Sequence, residues 1–265
     1  MRLREDTRAE EHIGRRDLTA WPTALGRLFV RGVLALSVWV TANVVLALLI
    51  GAAAAVVVGL TVASGEIYDA VEDGDGVAAW DRPVLDRAID ARTATNMRVV
   101  TWFTTLGGPV WMTVIAAGIT LGMTLLWRSW TPLVLMLVAV GGSLLMTTVG
   151  KSLVGRVRPP QVDAVPPFES SPSFPSGHTL NSTVIAAMVA YLLLRRLGTS
   201  WARVLTMVLA VGWAVTMGLS RVFLGHHWLT DVAVGWTLGL AWVGALILAH
   251  RLFLTLRRSH RAAAA

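Results

Sequence analysis

Three separate stretches of the sequence carry side chains whose types suit a phosphoryl group. They contain Lys151 and Arg158-Pro159, then Pro175-Ser176-Gly177-His178, then Ser220-Arg221 with His227 and Asp231. Lysine offers a point charge and arginine a planar fork of N–H donors, and both fit the oxygens of a phosphate. The second stretch leads into a predicted helix, whose first N–H groups attract anions. The residue types therefore predict a phosphate cage made of Lys151, Arg158, Ser176, Gly177 and Arg221.

Two histidines and an aspartate supply the groups that a phosphoryl transfer needs. His227 and Asp231 are four residues apart, a spacing that places both on one face of a helix, where the carboxylate can accept the ring N–H. That bond would leave the other ring nitrogen free to attack phosphorus. His178 is then the expected proton donor to the leaving oxygen and the base for water. No metal or other cofactor is expected, because the three cations of the cage offset the charge that Mg²⁺ would otherwise balance.

In this order and spacing, the stretches resemble the signature motifs of the type 2 phosphatidic acid phosphatase superfamily. The motifs read Lys151-x6-Arg158-Pro159, Pro175-Ser176-Gly177-His178 and Ser220-Arg221-x5-His227-x3-Asp231. The superfamily also includes glucose-6-phosphatase, bacterial lipid phosphate phosphatases and the vanadium haloperoxidases. The resemblance implies that His227 forms a phosphohistidine, that Asp231 orients its ring and that His178 is the general acid. It implies the same five phosphate ligands as the residue types do.

Two neighbouring residues lie outside these motifs. We interpret His226, beside the expected nucleophile, as a wall or interface residue. Arg156 is close in sequence to Arg158, and its charge could help to attract anions.

The elements that carry these residues are predicted to be membrane-spanning helices. Of the 265 residues, 55% are hydrophobic and 15% charged, and the mean hydropathy is +0.63, which is too apolar for a soluble domain. Long runs with few or no charges predict six spans. These are about 33–62, a second between Arg98 and Arg128 that starts near 107–109, then 132–150, 178–195, 203–221 and 231–250. We expect an all-α, polytopic membrane protein with an acid-phosphatase-like helical core.

The charges indicate how the chain lies in the membrane. The net charge is +7, but most arginines flank the apolar runs, which argues against nucleic acid as a partner. By the positive-inside rule we expect both termini in the cytoplasm and the motif loops on the extracytoplasmic face of the cell membrane. The first thirty residues mix acidic and basic side chains, so a cleavable signal peptide is not expected. The lack of cysteine excludes thiolate chemistry and zinc–cysteine sites.

We divide the chain into a cytoplasmic N-terminal tail (1–31), a six-span lipid phosphatase domain (32–253) and a cytoplasmic C-terminal tail (254–265). The domain contains an external segment, 66–98, and two catalytic loops, 151–178 and 220–231. In the external segment, the heptad-like placing of Val84, Leu85, Ala88 and Ile89 predicts a short amphipathic helix on the membrane. A solvated linker helix is an equally good interpretation.

The function that this pattern predicts is removal of phosphate from a membrane lipid phosphate or pyrophosphate. The resemblance supplies the candidate substrates: isoprenoid (undecaprenyl) pyrophosphate, phosphatidate and phosphatidylglycerol phosphate. A haloperoxidase-like vanadate enzyme is one alternative, and the six spans argue against it. A non-catalytic lipid-phosphate carrier is another, but a carrier has no use for His227, Asp231 and His178 together. The expected partners are the lipid substrate and the bilayer, with no obligate protein partner evident.

Overall fold

The computed structural model describes residues 12–13, 16–37 and 76–263, together with four isolated helical positions, 48, 51, 55 and 59. In these residues the regular structure is helical, apart from a two-residue antiparallel ladder that pairs β1 (His12–Ile13) with β2 (Arg16–Asp17). The α-helices are α1 (Ala24–Ser37), α2 (Asp81–Asp90), α3 (Ala94–Leu106), α4 (Pro109–Trp127), α5 (Thr131–Val154), α6 (Gly177–Leu194), α7 (Ser200–Phe223) and α8 (Leu229–Ala263). Short 3₁₀ helices cover Gly76–Trp80 and Gln161–Asp163.

Five of the described helices are long and apolar enough to cross a membrane. They are α4, α5, α6, α7 and the Leu229–Arg258 part of α8. They confirm the predicted second to sixth spans. The predicted first span, 33–62, lies outside the described residues except for the end of α1 and the four isolated helical positions.

The last helix is longer than the sequence predicted. Between residues 229 and 263 the chain has no proline, so no residue forces the helix to end near His250. Leu252, Leu254 and Leu256 are each at most 2% exposed, and their burial favours continuation of the helix. The stretch that we expected to be a C-terminal tail is therefore helical as far as Ala263.

The chain divides into two compact units. The first consists of Met1–Val56, Ala190–Met207 and Gly244–Ala265, and the second of Val57–Val189 and Val208–Val243. In the first unit, Arg251 donates to the carbonyl of Leu18 at 2.9 Å, and its guanidinium lies 4.4 Å from the ring centre of Trp21. The second unit contains all the motif residues.

Small residues let the helices of the second unit approach closely. A Cβ atom at Gly142 on α5 would overlap ring atoms of Trp242 on α8, and Nε1 of that indole donates to the Ala139 carbonyl at 3.0 Å. On α7, a Cβ atom at Gly218 would lie 2.6 Å from the ring of Trp236. Close backbone approach at glycine is a common way to pack membrane helices, and here it joins α8 to both α5 and α7.

The short amphipathic helix that the sequence predicted around residues 84–89 is present as α2. Leu85 is fully buried and Arg87 is exposed, so the helix is amphipathic as expected. The N-terminal residue of α2, Asp81, is only 4% exposed, which is unusual for a carboxylate.

Replacing Gly142 by alanine should destabilise the second unit. The new methyl group would overlap the Trp242 ring, and overpacking of this kind costs about 1–3 kcal/mol. At Gly141, its neighbour on α5, an added Cβ atom would have no other atom within 4 Å, so Gly141→Ala should leave stability unchanged or slightly higher. Thermal unfolding of both variants in detergent measures the difference, and equal midpoints would contradict this packing.

Candidate active site

A cavity of about 630 Å³ lies in the second unit, among α4, α5 and α6. Its walls are mostly apolar and include Met112, Leu121, Leu137 and Ile185. Its polar end is lined by five of the residues that the sequence singled out, together with Glu169 and Ser171; the five are Lys151, Arg158, Gly177, His178 and His227. The cavity therefore joins an apolar groove to a charged pocket.

Four helix ends bring these residues together. Lys151 lies in the last turn of α5 and Arg221 in the last turn of α7, while Gly177 begins α6 and Asp231 lies in the first turn of α8. The chain turns between α7 and α8 at Gly225, whose φ is +72°. A Cβ atom there would clash with the carbonyl oxygen of Asp163, so this turn requires glycine.

His227 lies in the turn before α8, with its side chain 2% exposed. Its Nε2 atom is 3.2 Å from Nη1 of Arg158. Because a guanidinium can only donate, Nε2 is the acceptor and carries the lone pair. On the other side of the ring, Nδ1 is 3.5 Å from Oδ2 of Asp231 and 3.4 Å from Oγ of Ser173. Burial lowers the pKa of the His227 imidazole to about 4, against the opposing effect of Asp231, so the ring is neutral at pH 7.

The spacing of His227 and Asp231 predicts that both lie on one helix, and the structure differs from this prediction. The two residues are neighbours in space, but His227 precedes the helix that contains Asp231. The backbone N–H of Trp228, just before α8, donates to Oδ2 of Asp231 at 3.0 Å, so this carboxylate caps the helix as well as facing the imidazole. Ser173 also donates to Oδ2, at 2.5 Å.

The three predicted cations are held by several acceptors. Arg158 donates to the carbonyls of Ser171 and His226 at 2.7 and 2.5 Å. Lys151 contacts the hydroxyl of Ser171 at 3.1 Å and donates to the Pro172 carbonyl.

Arg221 is only 2% exposed, and a carboxylate is paired with it. It donates to Oε1 of Glu169 at 2.5 Å, and its buried Nε finds no partner among the residues that the structure describes. Oε2 of Glu169 lies 3.7 Å from Arg158. Burial alone would raise the pKa of the Glu169 carboxyl, but Arg221 and other nearby cations outweigh it and lower that pKa to about 2. The cations of the predicted cage thus already hold an anion, supplied by the chain itself.

Ser176 lies directly before the first residue of α6, where the sequence predicted it. It is fully buried, its hydroxyl accepts from Thr179 at 2.8 Å, and its N–H donates to the carbonyl of Asp231 at 3.2 Å. It does not line the cavity in the described part of the chain, and neither does Arg221, which reaches the cavity through Glu169. Direct contact of Ser176 with phosphate stays a prediction.

Four residues of the site were missed by the sequence reasoning or given no role in positioning: Asp81, Arg156, Glu169 and Ser173. Arg156 and Ser173 lie close to the motifs, so the only signal was proximity in sequence. Asp81 is 75 residues from Arg156, the residue that it contacts, and no local pattern connects them.

Comparison with known proteins adds an independent line of support. The sequence profile of the PAP2 superfamily matches residues 132–254, which include all three motif stretches. Phosphatidylglycerophosphatase B of Bacillus subtilis (strain 168) is 35% identical over 167 residues, which represent 63% of this chain and 81% of the relative. The crystal structure of a transmembrane PAP2 type phosphatidylglycerolphosphate phosphatase from Bacillus subtilis aligns with a TM-score of 0.63 at 32% identity. That alignment covers 72% of this chain and 93% of the other.

Replacing Glu169 by glutamine should strengthen binding of inorganic phosphate. The carboxylate competes with phosphate for Arg221 and Arg158. Because about a third of its side chain is exposed, we expect a modest effect: Kd should fall about three- to tenfold. Calorimetric titration with phosphate measures it. Asp86→Asn, which changes a carboxylate paired with Arg82 on α2, is the matched control and should leave Kd unchanged. Weaker binding by Glu169→Gln would show that the carboxylate assists the anion instead of competing with it.

Proposed function

This chain belongs to the PAP2 superfamily and is a membrane lipid phosphatase, and we propose that it hydrolyses the phosphate monoester of phosphatidylglycerophosphate with His227 as its nucleophile. The observation that carries the choice of a lipid is the cavity. It places a charged pocket at one end of a groove whose walls are apolar. A lipid phosphate is divided in the same way, into an anionic headgroup and hydrocarbon chains.

The length of the groove suits an acyl chain. Along α5 the lining residues extend from Leu133 to Lys151, which corresponds to about 27 Å of helix at 1.5 Å per residue. One leaflet of the hydrocarbon core is about 15 Å thick. A lipid can therefore keep its chains at membrane depth while its phosphate reaches the charged end.

The headgroup is proposed from the relatives. Both are named for phosphatidylglycerophosphate: the curated relative is phosphatidylglycerophosphatase B, and the solved structure is a phosphatidylglycerolphosphate phosphatase. Phosphatidate and isoprenoid pyrophosphate present related anions, so they are the competing substrates against which the proposal has to be tested.

The proposed reaction begins when the substrate phosphate replaces Glu169 on Arg221 and draws Arg158 away from Nε2 of His227. The uncovered lone pair of Nε2 then attacks phosphorus. The bond from phosphorus to the lipid oxygen breaks, and His178, which lines the same cavity, donates a proton to that oxygen.

In the second half, water attacks the phosphohistidine and gives its proton to His178. Inorganic phosphate leaves, and Nε2 of His227 recovers its lone pair. Throughout, Asp231 and Ser173 hold the Nδ1 side of the ring. Lys151, Arg158 and Arg221 stabilise the charge on the transferring group, with Gly177 and Ser176 at the N-terminal end of α6 as further proposed ligands.

We place this site on the extracytoplasmic side of the membrane, with both termini in the cytoplasm. The support is the excess of arginine in the terminal segments and in the loops that share their side. The bilayer is then the environment of the substrate as well as of the protein.

A panel of lipids tests the function. Phosphate release from phosphatidylglycerophosphate, phosphatidate, an isoprenyl pyrophosphate and a soluble phosphate ester should be fastest for the first and slowest for the last. His227→Asn should lower kcat at least about 10³-fold, because the nucleophile is gone. The neighbouring variant His226→Asn should retain most of the activity.

Two results would contradict the proposal in different ways. A fully active His227→Asn protein would refute the assigned nucleophile. Preference for the soluble ester would refute the assignment of the apolar groove to lipid chains.

A further inference from the structure

We propose that Arg156 and Asp81 form a positioning pair for the catalytic carboxylate of Asp231, so that the external helix α2 is part of the catalytic machinery. This inference rests on the proposed function. It assigns a role to two residues outside the three motifs, and to a segment whose role the sequence left open.

Arg156 lies between two carboxylates. Its Nη1 donates to Oδ1 of Asp231 at 2.6 Å and its Nη2 donates to Oδ2 of Asp81 at 2.7 Å. All three side chains are buried, with exposures of 8% for Arg156, 6% for Asp81 and none for Asp231. The two oxygens of Asp231 thus have separate partners: Oδ1 is fixed by Arg156, and Oδ2 faces His227, Ser173 and Trp228.

Asp81 also fixes the N-terminus of α8, which contains Asp231. Its Oδ1 accepts the backbone N–H of Thr230 at 2.9 Å, and its Oδ2 accepts the Thr230 hydroxyl at 2.7 Å. A carboxylate at this position satisfies a free N–H and is favoured by the positive end of the helix dipole. Asp81 therefore holds both the arginine behind Asp231 and the helix turn in which Asp231 lies.

Other contacts attach the external segment to the same loops. Arg82 donates to the carboxylate of Asp163 at 2.8 Å, and Arg92 donates to the carbonyls of Asp163 and Phe223 at 2.7 and 2.9 Å. Asp163 in turn lies against Gly225, at the turn that leads to His227. The segment that contains α2 is thus attached both to Asp163 and to Phe223, the last residue of α7.

Physical chemistry favours a positioning role over simple ion pairing. The guanidinium of Arg156 is a rigid plane that directs one nitrogen to Asp231 and the other to Asp81, so it links the orientation of the Asp231 carboxylate to α2. That plane is covered by Trp228, whose ring centre is 5.7 Å from the guanidinium carbon. Rotation of Asp231 away from Nδ1 of His227 would break the Arg156 hydrogen bond.

The pH dependence of kcat/KM gives a readout that a merely structural role would not change. Catalysis needs neutral His227, so the rate rises as pH increases through the pKa of that ring, which burial lowers to about 4. The charged or titratable groups that face this ring or line its cavity are Arg158, Asp231, Lys151, His178 and Glu169, with Arg221 behind Glu169. None of these is altered in the variants below, and the ionisation of the substrate is the same for all of them.

The experiment compares Arg156→Gln, Arg156→Lys and Asp81→Asn in the full-length protein. Loss of a positive charge stabilises the imidazolium, so Arg156→Gln should move the acidic limb of kcat/KM up by roughly half a pH unit or more. Loss of a negative charge should move it down in Asp81→Asn. Arg156→Lys keeps the charge but loses the planar fork, so its limb should stay in place while kcat falls about 10- to 100-fold.

In all three variants the loss should appear in kcat, with KM changed less than about threefold, because neither residue touches substrate. Asp86→Asn, on the same helix and with 48% of its side chain exposed, is the control and should change neither quantity. If Arg156→Gln does not fold, the comparison of Asp81→Asn with Asp86→Asn decides.

Three outcomes would overturn the inference. Unchanged kcat and unchanged limbs in folded Asp81→Asn and Arg156→Lys would show that the pair does not act on the site. A loss confined to KM would make Arg156 a substrate ligand instead. A wild-type protein that is inactive on the whole lipid panel would overturn both this inference and the proposed function, whereas active wild type with unaltered variants overturns this inference alone.

Discussion

Charged side chains that are buried near the ends of membrane-spanning helices need opposite charges and hydrogen-bond partners around them, since removing an ion from water costs several kcal/mol. The second unit gathers four cations at such ends: Lys151, Arg156, Arg158 and Arg221. Three carboxylates balance them in part, namely Asp81, Glu169 and Asp231. Two of these carboxylates are buried with hydrogen bonds on both oxygens, whereas Glu169 is about one-third exposed and lines the cavity. Asp81 and Asp231 therefore form the permanent part of the cluster, whereas Glu169 is the carboxylate that an entering anion can replace.

This division explains how one cluster can serve both stability and catalysis. Arg156 joins Asp81 to Asp231 and needs no ligand. In the free protein Arg158 contacts His227 and Arg221 is paired with Glu169, and in the proposed reaction a phosphate replaces these partners. In the free protein the Nε2 lone pair of His227 is hydrogen-bonded to Arg158, and burial keeps the ring neutral. In the proposed reaction, substrate binding uncovers this lone pair when phosphorus is adjacent.

Much of this arrangement follows from local sequence. The apolar runs predict the five described spans, because a helix that crosses a membrane needs about 20 apolar residues. The charged residues between these runs locate the motif loops. The pair His227 and Asp231 is also predicted by its spacing, although the turn at Gly225 places the histidine outside the helix.

The positioning by Asp81 and the competition by Glu169 could not be predicted, because each depends on a tertiary contact. Asp81 reaches Arg156 across 75 residues, and Glu169 reaches Arg221 across 52. The hydroxyl of Ser176 accepts a hydrogen bond from Thr179, and the role of Ser176 as a phosphate ligand stays a prediction.

The most direct test of the account is to locate the phosphoryl group in the covalent intermediate. The purified protein is mixed with phosphatidylglycerophosphate, quenched in alkali within milliseconds to seconds, digested and mapped by mass spectrometry. The account predicts a phosphoryl group on His227 and none on its neighbour His226. A phosphoryl group on His178 or His226, or release of phosphate without any covalent intermediate, would contradict it.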